Sequence, residues 1–79
     1  MKFVYLLQSP TEHLGAYTNK KRIWEISTKI LGVGTLETGE EFAHNFVKLC
    51  RLFKFKSTVL ISNLTSGKFL KITKVKLNE

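Results

Sequence analysis

A short apolar run opens the chain, apolar residues recur at helical spacing in its middle and alternate toward its end, and this ordering restricts the fold more than any other feature. Phe3–Leu7 reads as a strand with both faces apolar, which predicts a central place in a sheet. Ser9-Pro10-Thr11-Glu12 is a turn cluster, and Leu14–Tyr17 reads as a second short strand, antiparallel to the first. Thr18 or Asn19 then caps a helix that runs to about Leu31 and stops at Gly32. Its predicted buried stripe is Ile23, Ile26 and Ile30, widened by Trp24, Ser27 and Leu31. Thr38-Gly39-Glu40-Glu41 has capping-box spacing, so a second helix is expected from Thr38 to about Leu52. Phe42, Phe46, Leu49 and Phe53 would form its apolar stripe, with Ala43 and Cys50 beside it. Strands over about Lys54–Ser62 and Lys68–Leu77 complete the pattern. The expected fold is α+β, in the order ββααββ: an antiparallel four-stranded sheet with two helices packed on one face. The strand order within the sheet is left open. A chain of 79 residues is one small domain, spanning 1–79.

Composition removes several classes of protein. A single cysteine, Cys50, excludes an internal disulfide framework and a multi-cysteine metal site. No apolar run approaches the roughly 20 residues needed to span a bilayer, so no membrane partner is expected. The apolar stretch within Met1–Gln8 is too short for the core of a signal peptide, which points to a reducing, cytoplasmic setting.

Charge is unevenly distributed. The net charge is +7, yet residues 1–42 are balanced and residues 43–79 carry the whole excess. Such asymmetry points to an anionic partner: nucleic acid, an acidic protein or a lipid surface. The last hairpin sharpens this expectation. In the fourth strand the apolar phase starts on Leu70 and Ile72 and then jumps to Val75 and Leu77, which predicts a β-bulge near Thr73. Setting Ser62 opposite Gly67 leaves a four-residue loop and points Phe55, Ser57 and Val59 into the core, facing Val75, Ile72 and Leu70. On the outer face, Leu60 then lies opposite Phe69, Thr58 opposite Lys71, Lys56 opposite Lys74 and Lys54 opposite Lys76. Five lysines with an apolar pair at one end would suit phosphates plus a stacking contact. Lys20, Lys21 and Arg22, in the first turn of the first helix, add a second basic group where unpaired helix N–H groups favour anions. The plainer explanations are an edge hairpin protected by lysines and a solvated basic turn.

Positioned chemistry is sparse. There is no aspartate, and the glutamates form no facing pair for acid–base work. On the expected second helix His44 and Cys50 would be six residues apart and point in different directions, so they form neither a nucleophile pair nor a metal site. Ser66-Gly67-Lys68 lacks the earlier glycine of a phosphate loop, and Gly32-Val33-Gly34 follows a helix rather than a strand, so neither reads as a nucleotide motif. No catalytic residue, metal or cofactor is expected.

Val4-Tyr5-Leu6, followed by Gly15-Ala16-Tyr17-Thr18-Asn19-Lys20-Lys21 and a helix, resembles the start of small accessory proteins encoded by bacteriophages. The resemblance covers residues 3–31 and implies stoichiometric binding rather than turnover, in the host cytoplasm, during takeover of a host cell. The expectation is thus a non-enzymatic binding protein whose partner is a polyanion, foremost nucleic acid. Lys54, Lys56, Lys71, Lys74 and Lys76 would contact phosphates, Phe69 and Leu60 would stack or wedge, and Lys20, Lys21 and Arg22 would assist. The alternative is an inhibitor or adaptor that binds an acidic patch on a host protein. A short exposed edge strand would also allow a homodimer.

Overall fold

The computed structural model describes residues 2–77; Met1, Asn78 and Glu79 lie outside the described residues. The elements are β1 (Phe3–Gln8), β2 (His13–Tyr17), α1 (Lys20–Leu31), α2 (Phe46–Leu52), β3 (Thr58–Ser62) and β4 (Phe69–Lys76). The four strands form one antiparallel sheet in the order β2-β1-β4-β3, so the first and last strands meet at its centre. The α+β class and the ββααββ order agree with the sequence. No helix among the described residues is long and apolar enough to cross a membrane.

Tyr5 and Leu7 of β1, Leu70 and Ile72 of β4, and Val59 and Ile61 of β3 share one face of the sheet and are buried. The helices cover this face with Ile23, Leu31, Leu49 and Leu52. Each fully buried aliphatic side chain contributes about 1.5–3 kcal/mol, so these residues supply most of what holds so short a chain together. Helix α1 starts at Asn19, whose Oδ1 accepts hydrogen bonds from the Lys21 and Arg22 N–H groups at 2.8 and 3.2 Å. It ends at Gly32, whose φ of 78° is unfavourable for other residues. Its buried stripe is Ile23, Ser27 and Leu31, while Ile30 is 40 % exposed. The buried Ser27 hydroxyl is satisfied by the Ile23 carbonyl at 2.6 Å.

Three expectations fail, each for a physical reason. First, α2 begins at Asn45 rather than Thr38. The Asn45 side chain accepts from Lys48 N at 2.8 Å and wins the cap. Residues 35–43 instead run along the outer edge of β3. Glu37 N donates to Ser62 O, Leu60 N to Glu41 O, and Ala43 N to Leu60 O. Coiling those residues into a helix would leave that strand edge unpaired. Second, β3 begins at Thr58, so Lys54, Phe55 and Lys56 lie in the turns after α2 and Phe55 is 82 % exposed rather than buried.

Third, β4 carries no bulge at Thr73. Regular pairing runs from Phe3↔Lys76 to Gln8↔Lys71 on one side and from Thr58↔Thr73 to Ser62↔Phe69 on the other. The hairpin register is two residues away from expectation because Asn63, not Ser62, closes the turn. Asn63 N donates to Lys68 O at 2.8 Å, and its Oδ1 accepts from Thr65 N and Ser66 N at 2.9 and 3.2 Å. The irregularity of the sheet lies in the other hairpin. Leu7 pairs with Gly15 and Gln8 with His13, so Leu14 is the extra residue, and it packs against the core.

Asn63 is fully buried, and its Nδ2 donates to the carbonyl of Leu31 at 2.9 Å. One carboxamide therefore joins the end of α1 to the β3–β4 turn. Gly34 lies against it: a Cβ at this position would strike the Asn63 carboxamide and approach Thr65 Cβ at 2.8 Å. Asn63→Ala is expected to cost about 2–4 kcal/mol in urea unfolding, since the buried Leu31 carbonyl and two N–H groups of the turn lose their partner at once. Gly34→Ala should cost about 2 kcal/mol through the same contact. An unchanged urea midpoint for Asn63→Ala would contradict this account.

Candidate interaction surface

Both helices pack on one side of the sheet, so the alternating side chains of the other side are left uncovered. The strand registers assign that open face residue by residue. Ala16, Leu6, Thr73 and Thr58 form one row; His13, Gln8, Lys71 and Leu60 the next; Val4 and Val75 lie on one side of these, and Phe69 and Ser62 on the other. The bridge between Phe42 and Leu60 extends the face past β3. Phe69 and Val75 are 43 % and 39 % exposed, and Val4, Leu6 and Leu60 are half-buried. The strand residues of this face include one cation, Lys71, and no carboxylate. A shallow recess at its β3 end is lined by Phe55, Lys56, Thr58, Leu60 and Lys71, with Glu41 at the rim.

The expected grouping of ten residues divides. Leu60 and Lys71 are direct cross-strand partners on the open face, and Phe69 stands two residues from Lys71 on the same side. Lys56 joins them at the recess. Lys54 is exposed in the turn after α2. Lys74 and Lys76 lie on the opposite, helix-covered side of β4, in register with Tyr5 and Phe3. The expected pairs Lys56–Lys74 and Lys54–Lys76 do not form, because the bulge that would have turned Lys74 outward is absent. The Lys74 ammonium instead donates to the Phe53 carbonyl and sits 4.8 Å from the centre of the Phe3 ring. Lys20, Lys21 and Arg22 occupy the first turn of α1, where the Asn19 carboxamide already takes two N–H groups. That turn is a capped helix start, and the anion-binding donors expected there are partly used.

Val4, Leu6, Val75, Phe42 and Phe55 belong to this surface or its margin and were not anticipated. The signal for the first three was present in the sequence. A strand apolar on both faces is either buried twice or exposes one apolar face, and β1 and β4 take the second course.

Beneath the sheet, Tyr5 is buried and its ring centre lies 5.1 Å from that of Phe53. Burial, and secondarily the charge of Cys50, pushes the Tyr5 phenol above its ordinary value of 10.0. The described residues contain no group of three or more His, Cys, Asp or Glu able to hold a metal ion. The chain matches no protein-family model, no curated protein and no solved structure.

Two outcomes follow from these placements. Lys74→Ala should lower stability by about 1–2 kcal/mol in urea unfolding, whereas Lys56→Ala and Lys71→Ala should stay within about 0.5 kcal/mol of the parent. Equal effects for all three would mean Lys74 is an ordinary surface lysine. For Tyr5 the folded-state pKa lies above the unfolded one, so the folded chain holds the phenolic proton more tightly. That stabilisation is complete below about pH 10 and fades as pH rises through the folded-state value. Tyrosinate absorbance should show a phenol titrating above the ordinary value in the parent that is lost in Tyr5→Phe.

Proposed function

We propose that this chain is a non-enzymatic binding protein that uses the open face of its sheet, and that its partner is a protein surface combining apolar and acidic groups. The observation that carries this reading is the composition of the face: Val4, Leu6, Leu60, Phe69 and Val75 interspersed with uncharged polar residues and a lone lysine, with no carboxylate among its strand residues. Apolar area supplies affinity once water is excluded, and a cation in the middle of such a patch favours an opposing carboxylate and disfavours a basic surface. The net charge of +7 adds long-range attraction to an acidic target. A stoichiometric inhibitor or adaptor acting on a host protein accords with the resemblance of residues 3–31 to phage accessory proteins.

The departures of Lys74 and Lys76 from the outer face weaken the case for nucleic acid without removing it. A second reading rests on Phe69 beside Lys71 and on Phe55 beside Lys56, two aromatic–cation pairs on or beside one platform. Single strands bind such platforms by stacking and phosphate contact.

A photo-crosslinking residue placed at position 60 or 73, and as a control at Glu25 on α1, separates these readings in host lysate. The proposal expects one predominant protein adduct from positions 60 and 73, none from position 25, and loss of the adduct with Val75→Asp. Titration of single-stranded oligonucleotides at two salt concentrations should show no affinity. A steep salt slope that is weakened by Lys56→Glu with Lys71→Glu would replace the proposal with the second reading. Adducts independent of position would reject use of the open face altogether.

A further inference from the structure

The two edges of the sheet are treated differently. The β3 edge is occupied by residues 35–43, which take up the Leu60 and Ser62 backbone groups. The β2 edge has no such cover: among the described residues, backbone hydrogen bonds from 13–17 go to β1 alone. The alternation of the ladder identifies which groups are free. Leu77 N donates to Lys2 O, so Lys2, Val4 and Leu6 turn their backbone groups toward β4, and Phe3, Tyr5 and Leu7 turn theirs toward β2. Tyr17 and Gly15, opposite Tyr5 and Leu7, therefore face β1, and the N–H and C=O of exposed Ala16 point away from the sheet.

This edge lacks the usual protection. His13–Tyr17 contains no lysine, no glutamate and no proline. Its Leu14 bulge lies to one side of Ala16 and leaves that residue's pair of groups free. The charge distribution also leaves this side of the molecule unguarded. The +7 excess belongs to residues 43–79, which include β4 and β3 at the far side of the sheet, whereas residues 1–42 are balanced.

We propose that two copies of this chain join through the β2 edge, with Ala16 opposite Ala16 across a two-fold axis, to make one continuous eight-stranded antiparallel sheet. In this arrangement the two Ala16 residues exchange a pair of backbone hydrogen bonds. The two-fold axis also sets the end of β2 that Glu12 precedes in one copy beside the end that leads into α1 in the other. The exposed carboxylate before the strand is thereby brought toward the Lys20-Lys21-Arg22 turn after it. An isologous contact repeats every such pair twice, so this complementarity acts in duplicate. The three cations in the first turn of α1, unfavourable for their own helix, gain a partner. The two basic halves are held at opposite ends of the assembly, where their repulsion is least.

Sedimentation velocity on the full chain over the micromolar range tests this. The expected result is a concentration-dependent dimer. Ala16→Pro removes an outward-facing N–H and should give a monomer with an unchanged circular dichroism spectrum, since proline is tolerated where the edge faces solvent. Glu12→Lys, remote from the core, should raise the dimer dissociation constant about fivefold, and adding Lys20→Glu with Lys21→Glu should restore it. A parent chain that stays monomeric at high micromolar concentration in low salt overturns the proposal. So does a dimer that is indifferent to both Glu12→Lys and Ala16→Pro. Ala16→Pro and the α1 variants do not touch Leu60, Lys71 or Val75, whereas Glu12 shares a recess with Phe69 and Lys71, so Glu12→Lys is read by sedimentation alone and failure of Ala16→Pro leaves the use of the open face standing.

Discussion

The carboxamide of Asn63 is the contact on which the arrangement of this chain depends. It is fully buried and uses both ends: the nitrogen donates to the carbonyl closing α1, and the oxygen accepts two N–H groups of the β3–β4 turn. The helix end, the loop through Gly34 and the final hairpin are thereby held together by a single side chain. Aliphatic burial supplies most of the free energy in a domain of this size but is indifferent to register. Directional bonds in a buried place are not, because a slipped turn would leave each of these polar groups unsatisfied. The two-residue difference between expected and observed hairpin register is the consequence of this one side chain.

With the register set, the sheet divides its labour. One face is the core. The other offers apolar and uncharged polar residues with Lys71 among them, and no helix of the described residues covers it. One edge is sealed by residues 35–43, and the opposite edge is left with free backbone groups. The charge asymmetry of the sequence maps onto the same axis, balanced toward β2 and basic toward β3. The open face and the open edge thus adjoin, with Ala16 of β2 beside Leu6 of β1.

Much of the fold was legible in the sequence. Period-two and helical segments gave the order of elements, and the boundaries of β1, β2, α1 and β4 lie close to those predicted because each is marked by an alternation, a cap or a glycine. What was illegible depended on competition between local and distant partners. Thr38 and Asn45 both satisfy the rules for a helix cap; only the need to cover the β3 edge chooses between them. The phase change in the last strand, read as a bulge, is a strand whose outward residues Val75 and Phe69 are themselves apolar. Of the ten residues expected to act together, four, Leu60, Phe69, Lys71 and Lys56, lie near one another, while Lys74 and Lys76 lie on the covered side. A lysine that packs along an aromatic ring and reaches a backbone carbonyl carries no mark in its sequence to separate it from one in solvent.

The burial of the Asn63 amide has a consequence for how the protein can be made. Asn63-Leu64-Thr65 is a glycosylation sequon. A eukaryotic secretory pathway would attach an oligosaccharide to that nitrogen while the chain is still emerging. A sugar there cannot be accommodated beneath the Leu31 carbonyl, so the modified chain would be barred from closing around its own turn. The native form therefore requires that Asn63 carry no sugar.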